Sequence, residues 1–185
     1  PVLFIKPSSV LVEAKQNSHL DLPIPQNLGS LHYEAELVFR VSQNGYKIPK
    51  EKAHEYVDGI TIGLDMTLRD LQMTQKKAGH PWTTSKVFPG SAVIGPWLPF
   101  SKDSNINESP FSFALNGIIK QQARASEMCL SFYDCVWYAS QFFELRKNDL
   151  LFSGTPAGVG HVKIGDRATL SFLDISYSVE WTKYV

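Results

Sequence analysis

A chain of 185 residues is long enough for one domain with a sizeable core, and 43% hydrophobic with 12% aromatic residues is too apolar for a disordered polymer. Eighteen basic and eighteen acidic residues cancel to a formal net charge of zero, so no overall field draws the protein to nucleic acid or to an anionic membrane. No apolar run approaches the length of a membrane span and no signal-peptide pattern is seen, so neither a membrane nor a polynucleotide is the expected partner.

The chain opens PVLFIKPSS, already inside an apolar run, and residues 2–5 read as a short strand ended by Lys6-Pro7-Ser8-Ser9. Without an initiator Met, this opening predicts a piece of a longer protein whose N-terminal portion lies outside the sequence. The stretch to about Ser30 is rich in Pro, Asn and Gln and reads as an ordered loop. Residues 31–42 (LHYEAELVFRVS) read as a strand closed by the turn signal Asn44-Gly45. Residues 49–56 suit a short helix, and Val57–Asp65 suits a buried strand ending in an acid.

Thr67 has the place of an N-cap, with Asp70 three residues on in a variant capping box, and the helix should stop at Gly79. Residues 82–99 are rich in Gly, Pro and Ser and read as irregular. Residues 111–115 and 118–123 flank Asn116-Gly117, a favoured two-residue hairpin turn. Residues 126–143 form the clearest helical pattern, and residues 149–152, 168–175 and 177–181 read as strands. Cys129 and Cys135 fall within that helix on different faces, too poorly aligned to bridge. They read as reduced core thiols, consistent with a cytoplasmic or mitochondrial-matrix protein. With no internal repeat and no linker, the expected fold is one strand-dominated α+β domain with a few short helices.

Chemistry gathers first at Glu34 and Glu36. In a strand, residues two apart share a face with Cα atoms roughly 7 Å apart, so two carboxylates could converge on one cation. A Glu pair on the solvent face of an edge strand is the plain alternative. Asp65, between a buried apolar run and a helix start, is the natural third ligand, or else a simple turn residue. Three carboxylates and water make a hard site suited to Mg²⁺, with Mn²⁺ or Ca²⁺ also accommodated.

Four segments in order, HYEAELVFRV, DGITIGLDMTLRDLQ, HPWTTSKVFPGSAVIGPWLP and LLFSGTPAGVG, resemble the fumarylacetoacetate hydrolase family, nearest its short acylpyruvate hydrolase and oxaloacetate decarboxylase branch. The resemblance runs from FIKPSS almost to the C-terminus. It implies a mixed β-sheet roll or sandwich, and a divalent cation, usually Mg²⁺, on Glu34, Glu36 and Asp65. It also implies that Lys86 lies beside the metal as a catalytic residue, and that Arg69, Gln72 and Thr155 contact substrate. Read alone, Lys86 would be a solvated loop lysine, Arg69 and Gln72 an exposed helix face, and Thr155 part of a turn. A divalent cation with three carboxylates carries a net charge of minus one, which the Lys86 ammonium would neutralise. His32, two residues before Glu34, reads as packing or support for the carboxylates rather than as a ligand. His19, His54, His80 and His161 suggest no partner.

The branch also carries a His and a Glu before its first strand, and they serve as the base that activates water. That pair is not in these residues and is expected upstream. The implied activity is hydrolytic C–C cleavage of acylpyruvate-type 1,3-diketo acids through a metal-stabilised enolate. Oxaloacetate decarboxylation and keto–enol tautomerisation use the same enolate and are the alternatives. A catalytically silent metal-binding or assembly module is a third, which Lys86 and Arg69 beside the carboxylates disfavour. A homodimer is expected from the resemblance and from the aromatic richness of residues 82–100 and 132–143.

Overall fold

The computed structural model describes residues 1–183. Residues 1–7 form no strand; Val2, Leu3, Phe4 and Ile5 stay exposed and join no ladder, so apolar content alone misleads there. A 3-10 turn at Ser8–Val10 leads into β1 (Leu11–Glu13) and β2 (His19–Ile24). These two strands lie in the Pro/Asn/Gln-rich stretch expected to be loop. The acidic strand is in fact two, β3 (Leu31–Tyr33) and β4 (Ala35–Val41), with Glu34 at the break.

A 3-10 helix, Lys50–Tyr56, precedes β5 (Val57–Asp65), which has the expected bounds. Thr67 does not cap a helix: Thr67–Leu68 form β6, and α1 (Arg69–Ala78) starts without a side-chain cap. Asp70 instead accepts hydrogen bonds from the N–H and hydroxyl of Ser30, and α1 ends at Gly79 as expected. The stretch expected to be irregular holds α2 (Thr83–Lys86), β7 (Ala92–Ile94) and β8 (Leu98–Pro99). The hairpin is present as β9 (Pro110–Leu115) and β10 (Ile118–Arg124).

The long helix is shorter than its pattern. A 3-10 turn at Ala125–Glu127 is followed by a bend and then by α3 (Phe132–Ser140), whose cap Ser131 accepts the Asp134 N–H. A local Ser hydroxyl offers the backbone an alternative to helix at that point. Cys129 is consequently an exposed thiol outside the helix, not a core one, while Cys135 is half-buried; both are free. Then come β11 (Leu150–Phe152), β12 (Gly160–His161), β13 (Arg167–Phe172) and β14 (Ile175–Lys183). The final hairpin turns at Leu173-Asp174, so Ile175 opens the second strand instead of closing the first.

The strands form a six-stranded sheet in the order β1-β7-β5-β4-β11, with β8 also on β5, and a five-stranded sheet β10-β9-β13-β14-β2. A small third sheet, β12-β3-β6, flanks them. The pairs β1–β7 and β2–β14 are parallel, and the rest are antiparallel. The fold is α+β, dominated by mixed sheets.

Period-two alternation along β14 buries Ile175, Tyr177, Val179 and Trp181, and the Tyr177 hydroxyl donates to the Ile62 carbonyl of β5 at 3.2 Å. Tyr33 stacks on Phe113 at 4.2 Å, and α3 lays Phe132 on Phe39 at 4.0 Å. Along β4, Ala35, Leu37, Phe39 and Val41 enter this main core. Glu36 and Val38 alternate with them and lie on the opposite face. None of the described helices is long and apolar enough to cross a membrane.

Candidate metal centre

The ladder between β4 and β5 decides where the acids meet. Ala35 pairs with Leu64 and Glu36 with Gly63, so the same register sets Glu34 opposite Asp65, whose N–H donates to the Glu34 carbonyl at 2.9 Å. Directly opposed residues share a face, and all three carboxylates therefore emerge on one side. Glu34, Glu36 and Asp65 are buried, each with an oxygen within 4.8 Å of the others. Gly63 makes the close strand packing possible: a Cβ there would sit 2.4 Å from the Val93 carbonyl oxygen.

Lys86, at the end of α2, is not a surface lysine. It is 2% exposed, and its Nζ donates at 2.6 Å to Glu34 Oε2, to Asp65 Oδ2 and to Thr67 Oγ1. Arg69, on the first turn of α1, reaches Glu34 Oε1 at 2.5 Å and Gln72 Oε1 at 2.8 Å. Its helix face is turned into the site, with Gln72 3% exposed. Thr155, in the turn after β11, donates to the Ala35 carbonyl at 2.9 Å, while Gly154 N–H donates to Glu36 Oε2 at 2.7 Å. The structure thus gathers all seven sequence candidates around one point.

Two further residues belong to the constellation. Lys6 pairs with Asp65 Oδ1 at 2.9 Å and donates to the carbonyls of Met66 (3.1 Å), Ser91 (2.9 Å) and Lys86. The expectation of one neutralising lysine therefore needs correcting: Lys6, Lys86 and Arg69 match the three carboxylates in number, so the set is neutral without a cation's charge when all three are ionised. The sequence gives no signal for Lys6, because the count over a cation, three carboxylates and Lys86 already closes at zero without it. Gln121, from β10, donates to Thr155 Oγ1 at 2.8 Å and has no local signal in the sequence. His32 stays out of the carboxylate group; its ring lies 6.3 Å from that of His161, which is packing. His19 does have a partner, the Ser178 hydroxyl at 3.0 Å.

Burial opposes every anion here. At Glu34 it is outweighed by Lys86 and Arg69, which hold the carboxyl below its ordinary range. At Asp65 burial wins and the value is raised, although Lys6 and Lys86 oppose it. Glu36 makes no ion pair among the described residues, and burial, with Asp65 beside it, pushes its carboxyl up to about 8. Burial lowers Lys6 despite its Asp65 partner. A hard divalent cation fits this set: three anionic oxygens converge, and the one with no cationic partner is the one that burial penalises most visibly.

Comparison with known proteins agrees with that chemistry. Over 173 residues, 93% of this chain and 77% of the relative, the protein is 34% identical to the oxaloacetate tautomerase YcgM of Escherichia coli. It is 37% identical over 167 residues to the mitochondrial oxaloacetate tautomerase of Caenorhabditis elegans, covering 90% of this chain and 76% of that one. The crystal structure of fumarylpyruvate hydrolase from Pseudomonas aeruginosa, in complex with Mn2+ and pyruvate, superposes with a TM-score of 0.93 at 39% identity. That match covers 98% of this chain and 78% of the other. The profile for the fumarylacetoacetate (FAA) hydrolase C-terminal domain matches residues 1–179, and the chain belongs to the fumarylacetoacetate hydrolase family.

Proposed function

We propose that the protein is a divalent-metal-dependent enzyme of 2-oxo acids, cleaving acylpyruvate-type 1,3-diketo acids by hydrolysis of a C–C bond. The observation that carries this reading is the convergence of three buried carboxylates within 4.8 Å, two of them, Glu34 and Asp65, bridged by Lys86. Glu34, Glu36 and Asp65 would hold the ion, with Mg²⁺ the proposed occupant and Mn²⁺ an effective substitute. When bound, the cation supplies Lewis acidity that favours the enolate of a 2-oxo acid.

The chain's own residues do the rest. Lys86 spends its three hydrogens on Glu34, Asp65 and Thr67, so it serves as a fixed positive charge beside the reacting group. Arg69 and Gln72 present donors from one helix face to a substrate carboxylate, and Thr155 closes the opposite side. With Lys6 included and all three carboxylates ionised around a divalent cation, the cluster would carry an excess of two positive charges. That balance supports a dianionic substrate, which brings two negative charges of its own.

The names of the tautomerase relatives support a second reading, keto–enol interconversion of oxaloacetate at the same centre. Decarboxylation of oxaloacetate would pass through the same enolate. Purified protein should be assayed for pyruvate release from an acylpyruvate, and for conversion of enol-oxaloacetate, with Mg²⁺ and after chelation. Loss of turnover on chelation and its return with Mg²⁺ or Mn²⁺ is expected, and chelator-resistant turnover would overturn the metal reading. The larger of the two activities decides between hydrolase and tautomerase.

We further propose a homodimer acting in the cytoplasm or the mitochondrial matrix. Many of the aromatics expected at an interface are core instead, among them Phe88, Phe100 and Phe132; exposed Phe142 and Phe143, with Tyr46, support the dimer. A monomer by light scattering at micromolar concentration would refute it.

A further inference from the structure

We infer that Gln121 is a positioning residue for this centre, locking the turn at residues 153–158 onto the carboxylate strand and fixing the direction of the Thr155 hydroxyl. The inference rests on the site reading above for Thr155 as a substrate contact. Gln121 comes from the other large sheet. The register of β10 slips between Ile119 and Gln121, and the irregularity leaves Ile118 and Ile119 exposed while Gln121 is 1% exposed.

The orientation of its amide is determined by two backbone groups. Ala35 N–H can only donate, and it meets Oε1 at 3.0 Å; the Pro156 carbonyl can only accept, and it meets Nε2 at 3.0 Å. The amide cannot be reversed without breaking both. Its second N–H then points at Thr155 Oγ1 at 2.8 Å, so that oxygen accepts and sends its single proton to the Ala35 carbonyl at 2.9 Å. Ala35 stands between Glu34 and Glu36, and Gly154, next to Thr155, holds Glu36.

The turn is pressed onto the irregular part of β10 as well as bonded to it. Gly158 has φ +101°, and a Cβ there would lie 2.1 Å from the Lys120 carbonyl oxygen. One buried amide therefore joins β10, the carboxylate strand and the turn bearing Thr155. A glutamine buried for packing alone would not need all three of its hydrogen bonds aimed at site segments. Without it, the turn keeps the Thr155 bond to the Ala35 carbonyl and the Gly154 bond to Glu36 but loses its tie to β10, and is free to shift from substrate.

A double-mutant cycle on kcat/KM tests this, using Gln121→Met and Thr155→Val singly and together with Mg²⁺ saturating. Each single variant should lose about 10- to 100-fold, mostly through KM, and the double variant should lose no more than the worse single one. Gln121→Glu keeps the acceptor for Ala35 and serves if Gln121→Met does not fold. Its activity relative to wild type should recover as pH falls, because a protonated carboxyl again supplies a donor toward Thr155. Additive losses, wild-type kcat/KM in Gln121→Met, or a pH-independent deficit in Gln121→Glu would each overturn the inference. Failure of the metal reading would appear separately, as chelator-resistant turnover in the wild-type protein.

Discussion

Replacing Lys86 by Met removes an ammonium group while keeping most of the side-chain volume. At 2% exposure, with three partners at 2.6 Å, Lys86 leaves no room for water to take its place. In the metal-free protein the change strands one oxygen of Glu34 and one of Asp65, and breaking one side of a buried ion pair costs about 3–5 kcal/mol. That is a large share of the net stability of a domain, so metal-free Lys86→Met should melt well below wild type. With a divalent cation present the sign reverses, because the lost charge was repelling the ion. At an effective dielectric of about 20, two unit charges roughly 4 Å apart interact by about 4 kcal/mol, which is ample to keep metal affinity at the wild-type value or above it.

Turnover should move the other way. A preorganised positive charge beside a developing negative one is worth about 2–4 kcal/mol, equivalent to roughly 30- to 1000-fold in kcat/KM. The loss should divide between a higher KM and a lower kcat, since the charge acts on both the bound substrate and the enolate. Titration calorimetry with Mg²⁺ and steady-state kinetics together test the pair of expectations. Wild-type kcat/KM in Lys86→Met would refute its place in the reaction, and sharply weaker metal binding would refute the electrostatic reasoning.

Glu36→Gln places a neutral amide where burial already favours the protonated acid, so the metal-free variant should be at least as stable as wild type near neutral pH. It should also gain no Tm on adding Mg²⁺, and a wild-type thermal shift would remove Glu36 from the ligand set. For wild type, a carboxyl raised from 4.5 to about 8 contributes stability that is complete below the lower value and is lost as pH climbs through that interval. Asp65, also raised, acts in the same direction, whereas lowered Glu34 acts oppositely at more acid pH. Urea unfolding of the metal-free protein should therefore show stability falling from pH 5 to pH 8, with saturating Mg²⁺ flattening the decline; a metal-free stability that rises across this interval would contradict the assignment.

What could be read from the sequence was whatever depended on neighbours along the chain. The run VDGITIGLD announces β5 and its terminal acid, Gly79 closes α1, and Asn116-Gly117 turns the hairpin because that dipeptide tolerates the positive φ values of 51° and 77° found there. Fold-level likeness came from four ordered segments rather than from any one of them. Features set by distant partners stayed hidden. β1 and β2 become strands because Ala92–Ile94 and Ile175–Lys183 lie alongside them, not because of their own composition. Lys6 before a proline looks like a surface residue until the backbone of residues 66, 86 and 91 closes over it. Gln121 owes its inward aim to a slip in register that no local pattern marks.

The parallel pairing of β2 with β14 has a consequence for how the molecule comes to exist. Ser178 sits beside His19 and Lys183 beside Ile24, so one edge of the five-stranded sheet joins an early strand to the last one described. During synthesis β2 waits without its neighbour until nearly every intervening residue has emerged, and β1 waits for β7 in the same way. Long-range closures of this kind slow folding, since the entropy of a large loop must be given up before contacts reward it. Leu20 and Leu22, bound for the interior, are meanwhile free to meet other chains. Recovery of native protein should therefore depend more on chain concentration and on the rate of release from the ribosome than on the strength of any single strand.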